Sequence, residues 1–208
     1  VAKGLQRAGF HVTGIDIRPQ PRYCGDLFIQ ADALNPPIRL EDFDFIWASP
    51  PCQAYSVAAH NQRAAGRKYP DLVTPVRDLL IGAGRPYAIE NVPGAPLRAP
   101  IKLRGTMFSE LRVIRERWFE TSWFMLQPPQ VVEARGLLVN HGYVSVAGNG
   151  TQGWAYKMGL RWSIKDMRRA MGSDWMSRSE LSQAIPPPYA EYIARRALEY
   201  IDERGRAA

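Results

Sequence analysis

Cys52 stands in the run Ala-Ser-Pro-Pro-Cys-Gln-Ala-Tyr-Ser, residues 48–56, directly after the β-prone stretch FDFIWA. Two prolines restrict the backbone ahead of it, so a thiol here is presented from a rigid turn and can serve as a thiolate nucleophile. A buried structural cysteine is the other use of the same position. Glu90 closes the apolar run PYAIE, where burial raises a carboxyl pKa and suits the group to hold or donate a proton near neutral pH; a carboxylate satisfied by local backbone donors is the alternative. Arg115 and Arg117, in IRERWFE, alternate onto one face of a β-prone segment. Guanidinium forks there suit a phosphate or a ring carbonyl, and a solvated charge pair would look the same. Asp16 and Asp32 each follow a short apolar run, where an acidic side chain can accept from ribose hydroxyls or an adenine amino group or simply form a turn.

The elements that must position these groups follow one another in a regular order. Residues 1–8 have helical spacing and Gly9 is placed to end them. Strands are expected over 10–17, 27–31 and 43–48, a helix over 72–83 stopped by Gly84, and a strand over 86–90. Strands alternating with helices imply parallel crossovers in an open α/β sheet. Ligands of such sheets sit beyond the carboxyl ends of the strands, where Asp16, Asp32, Cys52 and Glu90 all fall. Between about residues 127 and 159 glycines cluster among short β-prone runs, which reads as a small irregular insertion, and helix returns over 164–171 and 188–204.

With 46% hydrophobic and 23% charged residues among 208, and without a long apolar run, the composition excludes a disordered chain and a membrane span. Lys and Arg outnumber Asp and Glu by 27 to 20, a net +7 that favours a polyanionic partner. The two cysteines, Cys24 and Cys52, make no disulfide framework, and the three histidines show no metal-ligand spacing.

Taken in order, GLQRAGFHVTGIDI, ADALNP, SPPCQAYS, AIENVPGAP, IRERWFE and LSQAIPPPYAEYIARR resemble the motifs of the DNA (cytosine-5) methyltransferase family, particularly its compact phage-type members. The resemblance covers roughly residues 1–125 and 160–205. It implies a Rossmann-like, doubly wound, mostly parallel sheet: a catalytic domain over 1–125 lacking the first strand and glycine-rich loop, a target-recognition region over 126–161, and helices over 162–208 packing back on the first part. Cys52 would attack C6 of cytosine, Glu90 would hold N3, and Arg117 and Arg115 would lie near the cytosine O2 and the backbone. Asp16, Ile17, Asp32, Pro51 and Gln183 would bind S-adenosyl-L-methionine, while Gln53, Ser56 and Asn91 would meet the nucleic acid. The implied partner is double-stranded DNA, the implied protein a monomer without a membrane, in the cytoplasm of a bacterium or phage-infected host. Val113 stands where the family has Gln, and Ser182-Gln183 where it has Gly-Asn. The short recognition region leaves few residues to read bases in a groove.

The chemistry asks for these residue types independently. Cytosine C5 is a poor nucleophile until a soft thiolate adds at C6, and the charge that develops needs a proton donor at N3. The base must also leave the duplex, at a cost of a few kcal/mol, which a basic cleft gripping flanking phosphates offsets. Two other expectations remain open: cytosine-5 methylation of RNA or of a free nucleotide, and a catalytically inactive DNA-binding fragment.

Overall fold

A computed structural model describes residues 1–130, 142–146 and 159–207. The structure is mixed α/β. Strands β1 (Thr13–Asp16) and β2 (Leu27–Gln30) pair in parallel, Thr13 opposite Leu27. A second sheet has the order β3 (Ile46–Ala48), β4 (Tyr87–Asn91), β6 (Arg117–Thr121), β5 (Ile101–Leu103). β3 and β4 are parallel; β4 with β6, and β5 with β6, are antiparallel. The expected mostly parallel sheet is thus mixed among the described residues, because β5 and β6 enter as a local antiparallel pair rather than through a helical crossover. Of the expected recognition region, residues 131–141 and 147–158 lie outside the described residues.

The helices carry the signals that the sequence predicts. α1 (Ala2–Arg7) is followed by Gly9 at φ 102°. α2 (His60–Ala64) is a single short turn, and α3 (Val73–Ala83) ends on Gly84 in the left-handed conformation, φ 65°, which glycine adopts without a Cβ penalty. α4 (Ile164–Met171) and α5 (Arg178–Gln183) each begin with a capping box. Ser163 Oγ accepts from the Asp166 amide at 3.1 Å while Asp166 Oδ2 accepts from the Ser163 amide at 2.8 Å. α6 (Pro187–Ala207) opens with prolines, tolerated in a first turn whose amides lack helical partners anyway.

Every residue of β4 is buried, consistent with its central place and unbroken apolar run. The main core gathers Ala88, Leu103, Phe119, Met167, Leu181 and Tyr189, joining the second sheet to the three C-terminal helices. A smaller one packs Leu5 and Val12 on Ala190 and Ala194, so α1 lies directly on α6. Gly4 makes that approach possible, since a Cβ there would sit 2.3 Å from the Pro187 carbonyl oxygen. Phe45 and Trp47 pack against both cores and tie β3 to the β1 side of the molecule. Among the described residues no helix is long and apolar enough to cross a membrane.

Candidate active site

The turn carrying Cys52 is stitched from both sides. The Cys52 carbonyl accepts from the amides of Tyr55 at 3.0 Å and Ser56 at 2.8 Å, closing the chain on itself just after the two prolines. Arg63 of α2 donates to the carbonyls of Gln53 at 2.7 Å and Ser56 at 2.8 Å, anchoring the following arm to the turn. Asn91, at the end of β4, donates through Nδ2 to the Pro50 carbonyl at 3.0 Å and accepts at Oδ1 from the Val92 amide. Its side chain is 1% exposed. Asn91 therefore holds the cysteine turn against β4 from inside, and offers no surface to nucleic acid in this structure.

Glu90 is buried and faces Arg117, Nε to Oε1 3.2 Å. The pairing Glu90 opposite Phe119 in the antiparallel β4–β6 ladder brings the two strands into the register that lets Arg117 reach Glu90. Burial pushes the Glu90 carboxyl above its ordinary range, opposed by the Arg117 charge and a hydrogen bond with Ser49. Burial likewise pushes the Cys52 thiol up; Arg117 works against that shift and Glu90 adds to it. Cys52, Glu90 and Arg117 thus act on one another across the carboxyl ends of β3 and β4. A half-buried thiol, an acid of raised pKa and a cation able to stabilise either anion suit nucleophilic addition to an electron-poor ring with protonation at a ring nitrogen.

Arg115 and Arg117 part company. Alternation predicts one face for both, but Arg115 has φ 28°, an uncommon conformation for a residue with a side chain, and lies before β6 begins. Its guanidinium turns to the carbonyls of Ala184, Ser182 and Val146 at 2.7–2.9 Å. The desolvated cation beside Arg117 is pushed down to about 9. In this structure Arg115, expected at the substrate, directs its fork to protein carbonyls.

The expected cofactor residues lie at the ends of β1 and β2. Asp16, the last residue of β1, accepts from the Arg18 amide at 2.8 Å and Gln20 Nε2 at 2.9 Å. Asp32 is exposed and accepts from the Leu34 amide at 2.9 Å, the local turn that such a residue commonly makes. Ile17 is 68% exposed, and Pro51, Gln53 and Gln183 are exposed as well. Gln183 ends α5, whose Glu180 is bound by Arg22 from the loop after β1 at 3.0–3.1 Å. Two buried partners escaped the sequence: Arg77 of α3 and Glu120 of β6, which pair at 2.7 Å and also hold the Pro96 carbonyl and the Arg98 amide of the loop after β4. Among the described residues no group of His, Cys, Asp and Glu side chains could hold a metal ion. No protein-family model matches the sequence, and no characterised protein matches it either.

Proposed function

We propose that this protein transfers a methyl group from S-adenosyl-L-methionine to C5 of cytosine in double-stranded DNA, through a covalent bond between Cys52 and C6. The observation that carries this reading is the convergence of Cys52, Glu90 and Arg117 at the carboxyl ends of two parallel strands. On this reading the β1–β2 and β3–β4 pairs are halves of one Rossmann-like, doubly wound sheet, with substrates bound beyond its strand ends.

The residues at the ends of β1 and β2 fit the adenosine part of the methyl donor. Asp16 uses two of the roughly four lone-pair sites of a carboxylate internally, which leaves acceptors for ribose hydroxyls; Asp32 offers an acceptor to an amino group. The exposed Ile17 side chain supplies apolar surface for a purine face. When bound, the cofactor supplies an electrophilic methyl on a sulfonium. The protein's part is to make C5 attack it. Cys52 Sγ, as thiolate, forms the bond to C6; the C5–C6 π electrons move toward N3, where Glu90 delivers a proton, leaving C5 electron-rich. After C5 has taken the methyl, the donor leaving as a neutral thioether, N3 returns its proton to Glu90, and loss of the C5 proton to a base expels the Cys52 thiolate and restores the ring. Arg117 stabilises Glu90 as carboxylate once its proton is gone and lowers the cost of the Cys52 thiolate beforehand. The excess of basic over acidic residues would draw the duplex in, and base extrusion would bring C6 to the thiol.

Methyl incorporation from labelled cofactor into duplex DNA, RNA and dCMP, run in parallel with Cys52→Ser, tests the proposal. Incorporation into duplex DNA that vanishes in Cys52→Ser, with covalent trapping on a 5-fluorocytosine duplex only in the parent, is the expected result. Equal incorporation by Cys52→Ser would falsify the mechanism, and exclusive labelling of RNA or dCMP would move the substrate.

A further inference from the structure

Arg115 joins three segments with one side chain. Its Nε donates to the Ala184 carbonyl at 2.7 Å, Nη2 to Ser182 at 2.8 Å and Nη1 to Val146 at 2.9 Å. The first two acceptors lie at the end of α5. The last carbonyls of a helix could be met by amides four residues on only if the helix continued, and for Ser182 and Ala184 those positions are Pro186 and Pro188, which have no N–H. Arg115 supplies the donors that the proline run removes. The third acceptor belongs to residues 142–146, a described piece of the region 126–161 that the family resemblance assigns to target recognition. That piece is docked beside Arg115 a second time, by the bridge between Val113 and Val144 and by the Val144 amide on the Arg112 carbonyl at 2.7 Å.

The backbone of Arg115 is gripped as firmly. Its positive φ is held from α6, where the fully buried Tyr189 donates its hydroxyl to the Arg115 carbonyl at 2.9 Å. Arg115 stands two residues before Arg117, whose Nε lies 3.2 Å from Glu90 Oε1, and its charge bears on Arg117, Glu90 and Cys52. A strained conformation, a fork that bonds three carbonyls and a place two residues from Arg117 are together more than helix capping requires.

We infer that Arg115 is a positioning residue that couples the 142–146 segment to the Cys52–Glu90–Arg117 site, so that movement of that segment on a bound duplex shifts the cation beside the reacting groups. The inference rests on the proposed methyltransferase reading and names how that site is regulated. Arginine is required because three carbonyls in different directions match a planar fork with five donors; a lysine ammonium keeps the charge and loses the bracket.

Arg115→Lys in the full chain is the test. Hydrogen exchange is expected to quicken at both 142–146 and 182–184. Alkylation of Cys52 by iodoacetamide, followed on its own peptide across a pH series, should change by roughly threefold or more. For methyl transfer, kcat should drop about tenfold or more while the KM for the cofactor stays within about twofold. A folded Arg115→Lys protein whose Cys52 alkylation matches the parent at every pH overturns the coupling, even with faster exchange. If Arg115→Lys does not fold, Tyr189→Phe, which deletes one hydroxyl, carries the same comparison: altered Cys52 alkylation supports the coupling and unaltered alkylation refutes it. A parent chain that transfers no methyl group refutes the proposed function and leaves the alkylation comparison standing.

Discussion

Replacing Arg77 by Met should be among the most damaging single changes outside the candidate site, and its cost should depend on pH. The Arg77 and Glu120 side chains are 4% and 3% exposed and meet as a fork, Nε to Oε1 at 2.8 Å and Nη2 to Oε2 at 2.7 Å. Arg77 also donates to the Pro96 carbonyl, and Glu120 accepts from the Arg98 amide, both at 2.7 Å. Removing one partner of a buried pair strands the other charge, at about 3–5 kcal/mol. At about 2–4 °C per kcal/mol for a chain of this size, the melting midpoint should fall by ~6–20 °C. In the parent, burial pushes the Glu120 carboxyl up, but the Arg77 hydrogen bond and the Arg98 amide more than reverse this and leave it below its ordinary value. Its contribution to stability is therefore present above the unfolded pKa and fades as pH falls through the folded one. In Arg77→Met burial prevails and the carboxyl rises, so the variant is penalised in full at neutral pH and relieved as acid protonates Glu120. Urea titrations at pH 7.5 and 4.5 measure both effects. A loss below about 1 kcal/mol at pH 7.5, or a loss equal at the two pH values, would refute the reasoning, as would an Arg77→Met/Glu120→Gln double variant no more stable than Arg77→Met.

The remaining predictions are smaller in scope. Arg117→Gln removes the cation that opposes burial at Cys52, so alkylation of Cys52 at pH 8 should slow by roughly threefold to tenfold, one pKa unit being worth about tenfold in thiolate; an unchanged or faster rate contradicts the arrangement. Gly4→Ala would put a Cβ 2.3 Å from the Pro187 carbonyl and 2.7 Å from the Ala190 Cβ, and overpacking of this kind costs about 1–3 kcal/mol. Alanine is otherwise the better helix former, so a rise in the melting midpoint would show that α1 does not lie on α6 as closely as described.

Much of the site's placement is legible along the chain. Helix α4 has the bounds expected for it, and α3 begins within a residue of its expected start, because their termini are written in local chemistry: Ser163 with Asp166 at one start, Gly84 at one end. Asp16 ends its strand, since a β-branched run that meets a polar residue at the edge of the core stops there, whereas β4 runs one residue past Glu90 to the buried Asn91. The antiparallel β5–β6 pair is less legible. Its β5 strand is three residues long, and short strands are specified by what they pair with more than by their own pattern.

The sequence by itself determined the order of elements and the proline-stiffened turn that presents Cys52, because each depends on residues near in the chain. Tertiary structure alone decided which arginine pairs with Glu90. Arg115 and Arg117 are equivalent by spacing, but Pro186 and Pro188 leave carbonyls on α5 without donors, and those carbonyls, distant in sequence, claim Arg115. Arg117 is left to Glu90 through the β4–β6 register. The same holds for Arg77 and Glu120, each an ordinary charged residue until the fold buries both together. Burial and partner choice are properties of the assembled surfaces, so no local pattern encodes them.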